Sequence, residues 1–129
     1  MDLKMARILG IILDIVIPSL FFITMLLIQS QIRPIVAQAY IEGTGYIFSA
    51  VSLAVPFAAR SLYLKQGKSV QSRMVGYALY ELPSTLGLIY FLIGGNLLHG
   101  AGFCLLSAGY FLLLDSYVFG DKNEIENKN

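Results

Sequence analysis

The chain has 129 residues, of which 57% are hydrophobic and 13% are charged, and its mean hydropathy is +0.70. A soluble domain has about 25% charged residues, so this composition indicates an integral membrane protein. Four apolar stretches of bilayer-spanning length leave too few residues for a separate soluble domain. We therefore expect neither a soluble catalytic domain nor a nucleic-acid partner.

The first apolar stretch runs from Ile8 to Ile28 and is interrupted only by Asp14. About 20 apolar residues in a helix cover roughly 30 Å, which is the thickness of a hydrocarbon core. We expect a retained span and not a signal peptide, because the stretch is long and because the small-residue triplet Ala37-Gln38-Ala39 lies well beyond its end. Three similar stretches follow. The sequence thus predicts an all-α membrane domain over residues 1–120, an antiparallel bundle of four transmembrane helices with spans at about 8–28, 45–64, 74–93 and 97–119.

The segments between the spans are predicted from their polar and turn residues. Residues 29–44 are too polar to lie in lipid, and Pro34 and Gly43 bracket a short amphipathic piece that we expect on the membrane surface. Gly94-Gly95-Asn96 predicts a tight antiparallel hairpin between the last two spans. Residues 121–129, DKNEIENKN, are expected to form a disordered charged tail.

The cations predict the orientation, because Lys and Arg in short loops are retained on the cytoplasmic side. With both termini in the cytoplasm, Arg33 is the single cation on the outside. The eight others then lie inside: Lys4, Arg7, Arg60, Lys65, Lys68, Arg73, Lys122 and Lys128. So strong a bias argues against insertion of the chain in two opposite orientations.

Four ionisable residues fall within the predicted spans: Asp14, Arg60, Glu81 and Asp115. Counted along a helix from the nearest flanking charge, each lies about 7 to 12 Å inside the cytoplasmic boundary, so all four share one layer. An ionisable group at this depth costs at least a few kcal/mol unless it is neutralised, paired or hydrated. We expect the four side chains to face the bundle interior, with Arg60 as the charge partner of one acid and another carboxyl neutralised by a proton or a bound cation.

Glu81 is the strongest candidate for a functional carboxylate. Helical spacing places a phenol and two hydroxyls on its face, namely those of Tyr77, Ser84 and Thr85. Pro83 adds a backbone carbonyl freed from the helix. This face fits a proton or Na⁺. The alternative is that Glu81 pairs with Arg60 to fasten two helices, while the hydroxyls bond back to their own helix.

Asp14 is the second candidate, with Pro18 one turn further along the helix. Its alternative role is an interhelical hydrogen bond. Asp115 is a secondary candidate, since it lies closer to the interface, where its carboxylate reaches headgroup water. An alanine repeat at residues 50, 54 and 58 indicates close helix packing, either within the chain or between copies.

No residue set suited to catalysis is recognisable, so we expect no enzyme activity, no cofactor and no metal site. Cys104 is the only cysteine and lies in an apolar stretch, which excludes a disulfide or a thiolate cluster within the chain. His99 is the only histidine, and we expect a structural or interfacial role for it.

One segment is similar to a known family. A basic polar loop is followed by Ala78-Leu79-Tyr80-Glu81-Leu82-Pro83 and then by Gly87-Leu88-Ile89. Residues 60–95 in this way resemble the carboxylate-bearing helix of the rotor proteolipid, subunit c of rotary ATP synthases. The resemblance implies that Glu81 binds the ion and that Ser84 and Thr85 assist. A second alignment, of Leu82-Pro83-Ser84-Thr85, places Ser84 where the family has its acid, and the dense glycine repeat of the family's rings is missing from the second span.

Together these features predict a small subunit of a larger membrane complex, or of a homo-oligomer, whose buried carboxylates handle protons or Na⁺. Its partners are then the lipid bilayer and other membrane subunits or copies of itself. We expect it in the cytoplasmic membrane of a bacterium or archaeon. The alternatives are a purely structural assembly subunit and a four-helix transporter of small solutes.

Overall fold

The computed structural model describes residues 3–66 and 70–114, and this part of the chain contains four helices and no strand. Helix α1 comprises three consecutive segments, Leu3–Ile11, a π-helical turn Ile12–Val16, and Ile17–Ile28. The others are α2 (Gln38–Lys65), α3 (Val70–Leu92) and α4 (Leu97–Leu113). Asp115 and the predicted tail at 121–129 lie outside the described residues.

The predicted boundary of the interfacial piece at Gly43 is wrong, while its position on the membrane surface stays a prediction. Residues 32–37 form an irregular connection, and α2 begins at Gln38 and continues through Gly43 without a break. A single glycine costs a helix only about 1 kcal/mol. The long apolar helix that follows is sufficient to offset this cost, so the polar residues 38–44 become the first two turns of α2.

Two helices are long and apolar enough to cross a membrane by length and composition, Lys4–Ile28 and Gln38–Lys65. The described part of α4 is a shorter apolar helix, and α3, which contains Arg73 and Glu81, is not among the candidates. The predicted hydrophobic lengths are thus matched by two of the four helices in the described chain.

Helix α3 lies at the centre of the bundle and packs against all three other helices. Its buried positions recur along its whole length and include Gly76, Tyr80, Ser84, Gly87 and Phe91. A helix that is surrounded by protein does not need an apolar outer face, which explains why a helix that contains Arg73 and Glu81 can occupy this place.

The α3–α4 hairpin is confirmed and is built on glycine. Gly94 has a φ of +111°, a conformation that L side chains rarely adopt. The Asn96 side chain then caps α4 by accepting the Leu98 N–H at 2.7 Å. Further along, a Cβ added to Gly87 would lie 2.5 Å from the Phe103 Cβ and 3.0 Å from the Gly100 carbonyl oxygen. The two helices therefore cross at a distance that only glycine permits.

The outer surface is rich in large apolar side chains, and the interior contains polar ones. Leu27, Leu98 and Leu113 are each about three-quarters exposed, at 74%, 75% and 78%. In contrast Asp14 and three serines, Ser52, Ser84 and Ser107, have no exposed surface. The alanine repeat at 50, 54 and 58 is also exposed, so its role is not packing within the described chain.

Candidate functional site in the bundle interior

Glu81 lies on α3 in a half-buried position, and its carboxylate accepts hydrogen bonds from two neighbouring hydroxyls. The Thr85 hydroxyl lies 2.8 Å from one carboxylate oxygen and 2.9 Å from the other. The Ser84 hydroxyl lies 3.1 Å from the first of these oxygens and 2.7 Å from the Glu81 backbone carbonyl. Three oxygen-bearing side chains on one helix face thus meet at the carboxylate, as the i, i+3, i+4 spacing predicts.

Few hydrogen-bond donors are available to the Glu81 carboxylate within the described chain. A hydroxyl has one hydrogen to donate, and the Ser84 hydroxyl has a closer acceptor in the Glu81 backbone carbonyl. Within the described chain the Glu81 carboxylate therefore accepts a hydrogen bond from the Thr85 hydroxyl, and shares the Ser84 hydroxyl hydrogen with the Glu81 backbone carbonyl. Neutral hydroxyls stabilise a negative charge less well than a cation does. The arrangement consequently leaves room for a proton or for a hard cation that prefers oxygen ligands.

Pro83 modifies the helix directly beside Glu81. A proline has no N–H, so the carbonyl of Leu79, four residues earlier, loses its helical donor. The N–H of the next residue, Ser84, donates to the Ser107 hydroxyl of α4 at 2.9 Å. This buried bond joins α3 to α4 at the level of the carboxylate.

A second interhelical bond depends on another proline. Pro56 lies inside α2 and is buried, so the carbonyl of Ser52, four residues earlier, has no helical donor. The Tyr110 hydroxyl of α4 donates to this carbonyl at 2.7 Å. The Ser52 hydroxyl is also buried and makes no hydrogen bond with any described residue.

Asp14 is fully buried, as predicted from its position in an apolar stretch. It lies in the π-helical turn of α1, four residues before Pro18, which is buried as well. All three prolines inside helices thus lie at buried positions, and none of them has an N–H to offer the carbonyl four residues earlier. Wide π-helical turns often occur at functional sites, which keeps Asp14 a candidate.

The remaining candidates are Tyr77, Arg60 and Asp115. Tyr77 is fully buried in an aromatic core, with its ring centroid 5.4 Å from Phe111 and 6.1 Å from Tyr80. Its hydroxyl is not among the donors to the Glu81 carboxylate within the described chain. Arg60 is half-buried on α2, and its pairing with an acid stays a prediction. Asp115 lies outside the described residues.

Ser107, Tyr110 and Ser52 take part in the polar interior and were missed as site residues. A signal for them was present, because each proline in an apolar helix predicts a free carbonyl four residues earlier. What the sequence does not indicate is which residue of another helix reaches that carbonyl or the neighbouring N–H. Ser107 and Tyr110 are 23 and 58 residues away from their partners.

Within residues 3–66 and 70–114, no group of three His, Cys, Asp or Glu side chains could hold a metal ion. No protein-family model matches the chain, and no curated protein and no solved structure matches it either.

Proposed function

We propose that this chain is an integral membrane protein in which Glu81, with Ser84 and Thr85, binds a proton or Na⁺. The proposed setting is a complex with other membrane subunits or with copies of itself in the cytoplasmic membrane of a bacterium or archaeon. The observation that carries the proposal is the Glu81 carboxylate in the central helix, where its described donors are neutral hydroxyls. The resemblance of residues 60–95 to subunit c of rotary ATP synthases is part of the same proposal.

Membrane insertion is supported by the distribution of polar groups. Large apolar side chains cover the outside while serines and an aspartate lie inside, which is the opposite of what water favours. In the two long apolar helices, only 17% and 28% of the best spanning windows is buried, so neither has the burial of a soluble protein's core helix.

The exposed hydroxyls give a second line of support. Ser19, Thr24 and Ser49 each donate to the carbonyl four residues earlier in the same helix, at 2.6 to 2.8 Å. A hydroxyl in lipid has no water to bond, so it must be satisfied within the protein. These three hydroxyls are satisfied in this way, although they lie on the outer surface of the bundle.

The ion-binding role is supported by the number of oxygens near the carboxylate. Two carboxylate oxygens, two hydroxyls and the Glu81 backbone carbonyl lie along one turn of α3. Oxygen atoms are the ligands that hard cations prefer. The same carboxylate can instead take up a proton, and the energetic reason is the same, since an ionised group inside a membrane costs at least about 2.5 kcal/mol when uncompensated.

The test uses dicyclohexylcarbodiimide, an apolar reagent that adds to protonated carboxyl groups in membranes. Purified protein in lipid nanodiscs is treated at several pH values with and without Na⁺, and the labelled residue is identified by peptide mass spectrometry. We expect labelling at Glu81 that slows as the pH rises, and that slows further with Na⁺ if Na⁺ is the ligand. Glu81→Gln removes the label, whereas Glu42→Gln, which changes an exposed carboxylate, leaves it unchanged.

Thr85→Val examines the hydroxyl contribution, because valine keeps the shape and removes the donor. We expect a change of at least threefold in the labelling rate of Glu81, while Thr24→Val on the outside of α1 leaves the rate unchanged. If Glu81 is not labelled, or if its labelling ignores both pH and Na⁺, the ion-binding proposal is wrong. A fall in the unfolding midpoint of Glu81→Gln in that case supports the alternative, a structural fastener.

A further inference from the structure

A second candidate site, whose lining includes none of Glu81, Ser84 and Thr85, is an open cleft between α2 and α4. Its volume is about 510 Å³. Helices α2 and α4 run in the same direction on either side of α3 and contact each other little. The cleft is the space that this arrangement leaves open at the end where both helices begin. Its lining residues are Glu42, Gly45, Tyr46, Ser49, Tyr90, Leu98, His99, Gly102, Phe103 and Leu106.

The lining changes in character along the helix axis. Glu42 and His99 lie in the first turns of α2 and α4 and form the mouth. Ser49 and Leu106 are each seven residues further on, which at helical rise is about 10 Å deeper. The deep part is mostly apolar, with Phe103 and Leu106. An occupant with a polar head and an apolar body fits this gradient.

Tyr90 of α3 forms the floor and is held in place on three sides. Its hydroxyl lies 3.5 Å from the Nδ1 atom of His99, and the two rings meet edge-on at 6.2 Å between centroids. A Cβ on Gly45 would lie 3.1 Å from the Tyr90 ring, and one on Gly95 would lie 2.4 Å from it. The glycines therefore let α2 and the α3–α4 turn close on this ring, so the floor of the cleft is preformed.

The charge at the mouth selects the class of ligand. Glu42 is the one carboxylate among the lining residues, and none of them is a Lys or Arg. Two tyrosines, Tyr46 and Tyr90, accompany it, and aromatic faces attract cations. A carboxylate and tyrosines, with the apolar residues Phe103 and Leu106 deeper in the cleft, complement a cation that carries hydrophobic groups. We propose that this cleft binds an amphipathic organic cation, with its charge beside Glu42 and its apolar groups against Phe103 and Leu106.

Gly102 allows a sharp test, because a Cβ added there meets nothing within 4 Å although the residue lines the cleft. A leucine at this position extends into the empty space and occupies it without displacing protein atoms. Gly109 lies about two turns further along α4, also with nothing within 4 Å of its added Cβ, but it does not line the cleft. Gly102→Leu and Gly109→Leu are thus a matched pair, and both replace glycine in a helix with a better helix former.

The experiment measures binding of radiolabelled tetraphenylphosphonium to the full chain in detergent by equilibrium dialysis, with protein-free micelles as background. We expect saturable binding that Gly102→Leu and Glu42→Gln each weaken at least tenfold and that Gly109→Leu leaves within twofold. Tetraphenylborate, an anion of the same shape, should not compete. Far-UV circular dichroism checks that each variant keeps its helices.

The proposal is overturned by the absence of saturable binding, by undiminished binding to Gly102→Leu, or by equal competition by the anion. Undiminished binding to Glu42→Gln would show that the positive charge of the ligand is not bound by Glu42, and this result overturns the proposal as well. Because none of these variants touches Glu81, Ser84 or Thr85, the outcome is independent of the carbodiimide experiment on the other site.

Discussion

Replacing Tyr110 with phenylalanine removes one oxygen atom, and with it the hydrogen bond to the Ser52 carbonyl. The bond is short, at 2.7 Å, and buried, and it joins α2 to α4, which otherwise contact each other little. Pro56 has already removed the helical donor of that carbonyl, so the phenylalanine variant leaves it with neither of its two possible donors.

The expected cost follows from the two reference values for such bonds. A buried acceptor left without a donor costs about 1–3 kcal/mol, and hydrogen bonds between membrane helices average about 0.6 kcal/mol and reach about 1.7. The bond in this protein is short, and its carbonyl lacks the usual intrahelical alternative. We therefore expect Tyr110→Phe to lower the free energy of unfolding by about 1.5 kcal/mol, near the upper end of the membrane range.

The assay is equilibrium unfolding in mixed detergent micelles, followed by far-UV circular dichroism. Tyr40→Phe, at an exposed tyrosine, is the control and should change stability by less than about 0.5 kcal/mol. A double-mutant cycle with Pro56→Ala isolates the cause, because alanine restores an N–H to the Ser52 carbonyl. Tyr110→Phe should then cost less than half as much in the Pro56→Ala background. An equal cost in both backgrounds would refute the explanation that the tyrosine replaces a donor lost to proline.

Three further expectations concern close packing, buried hydroxyls and assembly. Gly87→Ala should lower the free energy of unfolding by about 1–3 kcal/mol in the same assay, because its Cβ has no room between α3 and α4. Gly109→Ala, whose Cβ meets nothing within 4 Å, should raise it by up to about 1 kcal/mol. Equal effects of the two variants would show that the crossing tolerates a methyl group. Ser52→Ala should be neutral or stabilising, because it removes a buried hydroxyl that makes no hydrogen bond within the described chain. Ser107→Ala should cost about 1 kcal/mol of stability, because it leaves the Ser84 N–H without this acceptor. A change of the same sign in both variants would contradict this explanation of the two serines. Native mass spectrometry of protein released gently from its membrane should give a particle heavier than one 14.2 kDa chain, and a lone chain would count against a subunit role.

The apolar stretches and the turn residues between the last two of them could be interpreted from the sequence alone. The helical class and the glycine turn before Asn96 follow from local rules that act over a few residues. The burial of Asp14 was also predictable, because an isolated charge in an apolar stretch must be shielded. The boundary predicted at Gly43 is absent, because one glycine costs a helix little and the rest of α2 offsets that cost.

The candidate sites were less predictable, because they depend on which helices become neighbours. The contact of Thr85 and Ser84 with Glu81 lies within one helix and follows from spacing. The cleft beside Glu42 and His99 does not, since it exists only because α2 and α4 lie on either side of α3 and leave space at one end. Periodicity in a single sequence contains no information about that arrangement.

The π-helical turn in α1 has a consequence for how this helix tolerates insertions and deletions. The buried positions Ala6, Gly10, Asp14 and Pro18 recur every four residues, whereas an α-helical turn takes up about 3.6, so a regular helix would rotate the stripe by about 40° at each step. A turn that accommodates an additional residue corrects this phase error in mid-helix. With one residue deleted from Ile12–Val16, a regular helix would place eleven steps of about 100° between Ala6 and Pro18, about 20° more than three full turns, so both halves of α1 would keep their faces. One residue added to a regular stretch of α1 would instead rotate one half by about 100° relative to the other, and the surface by which the helix packs against α3 and α4 would be lost.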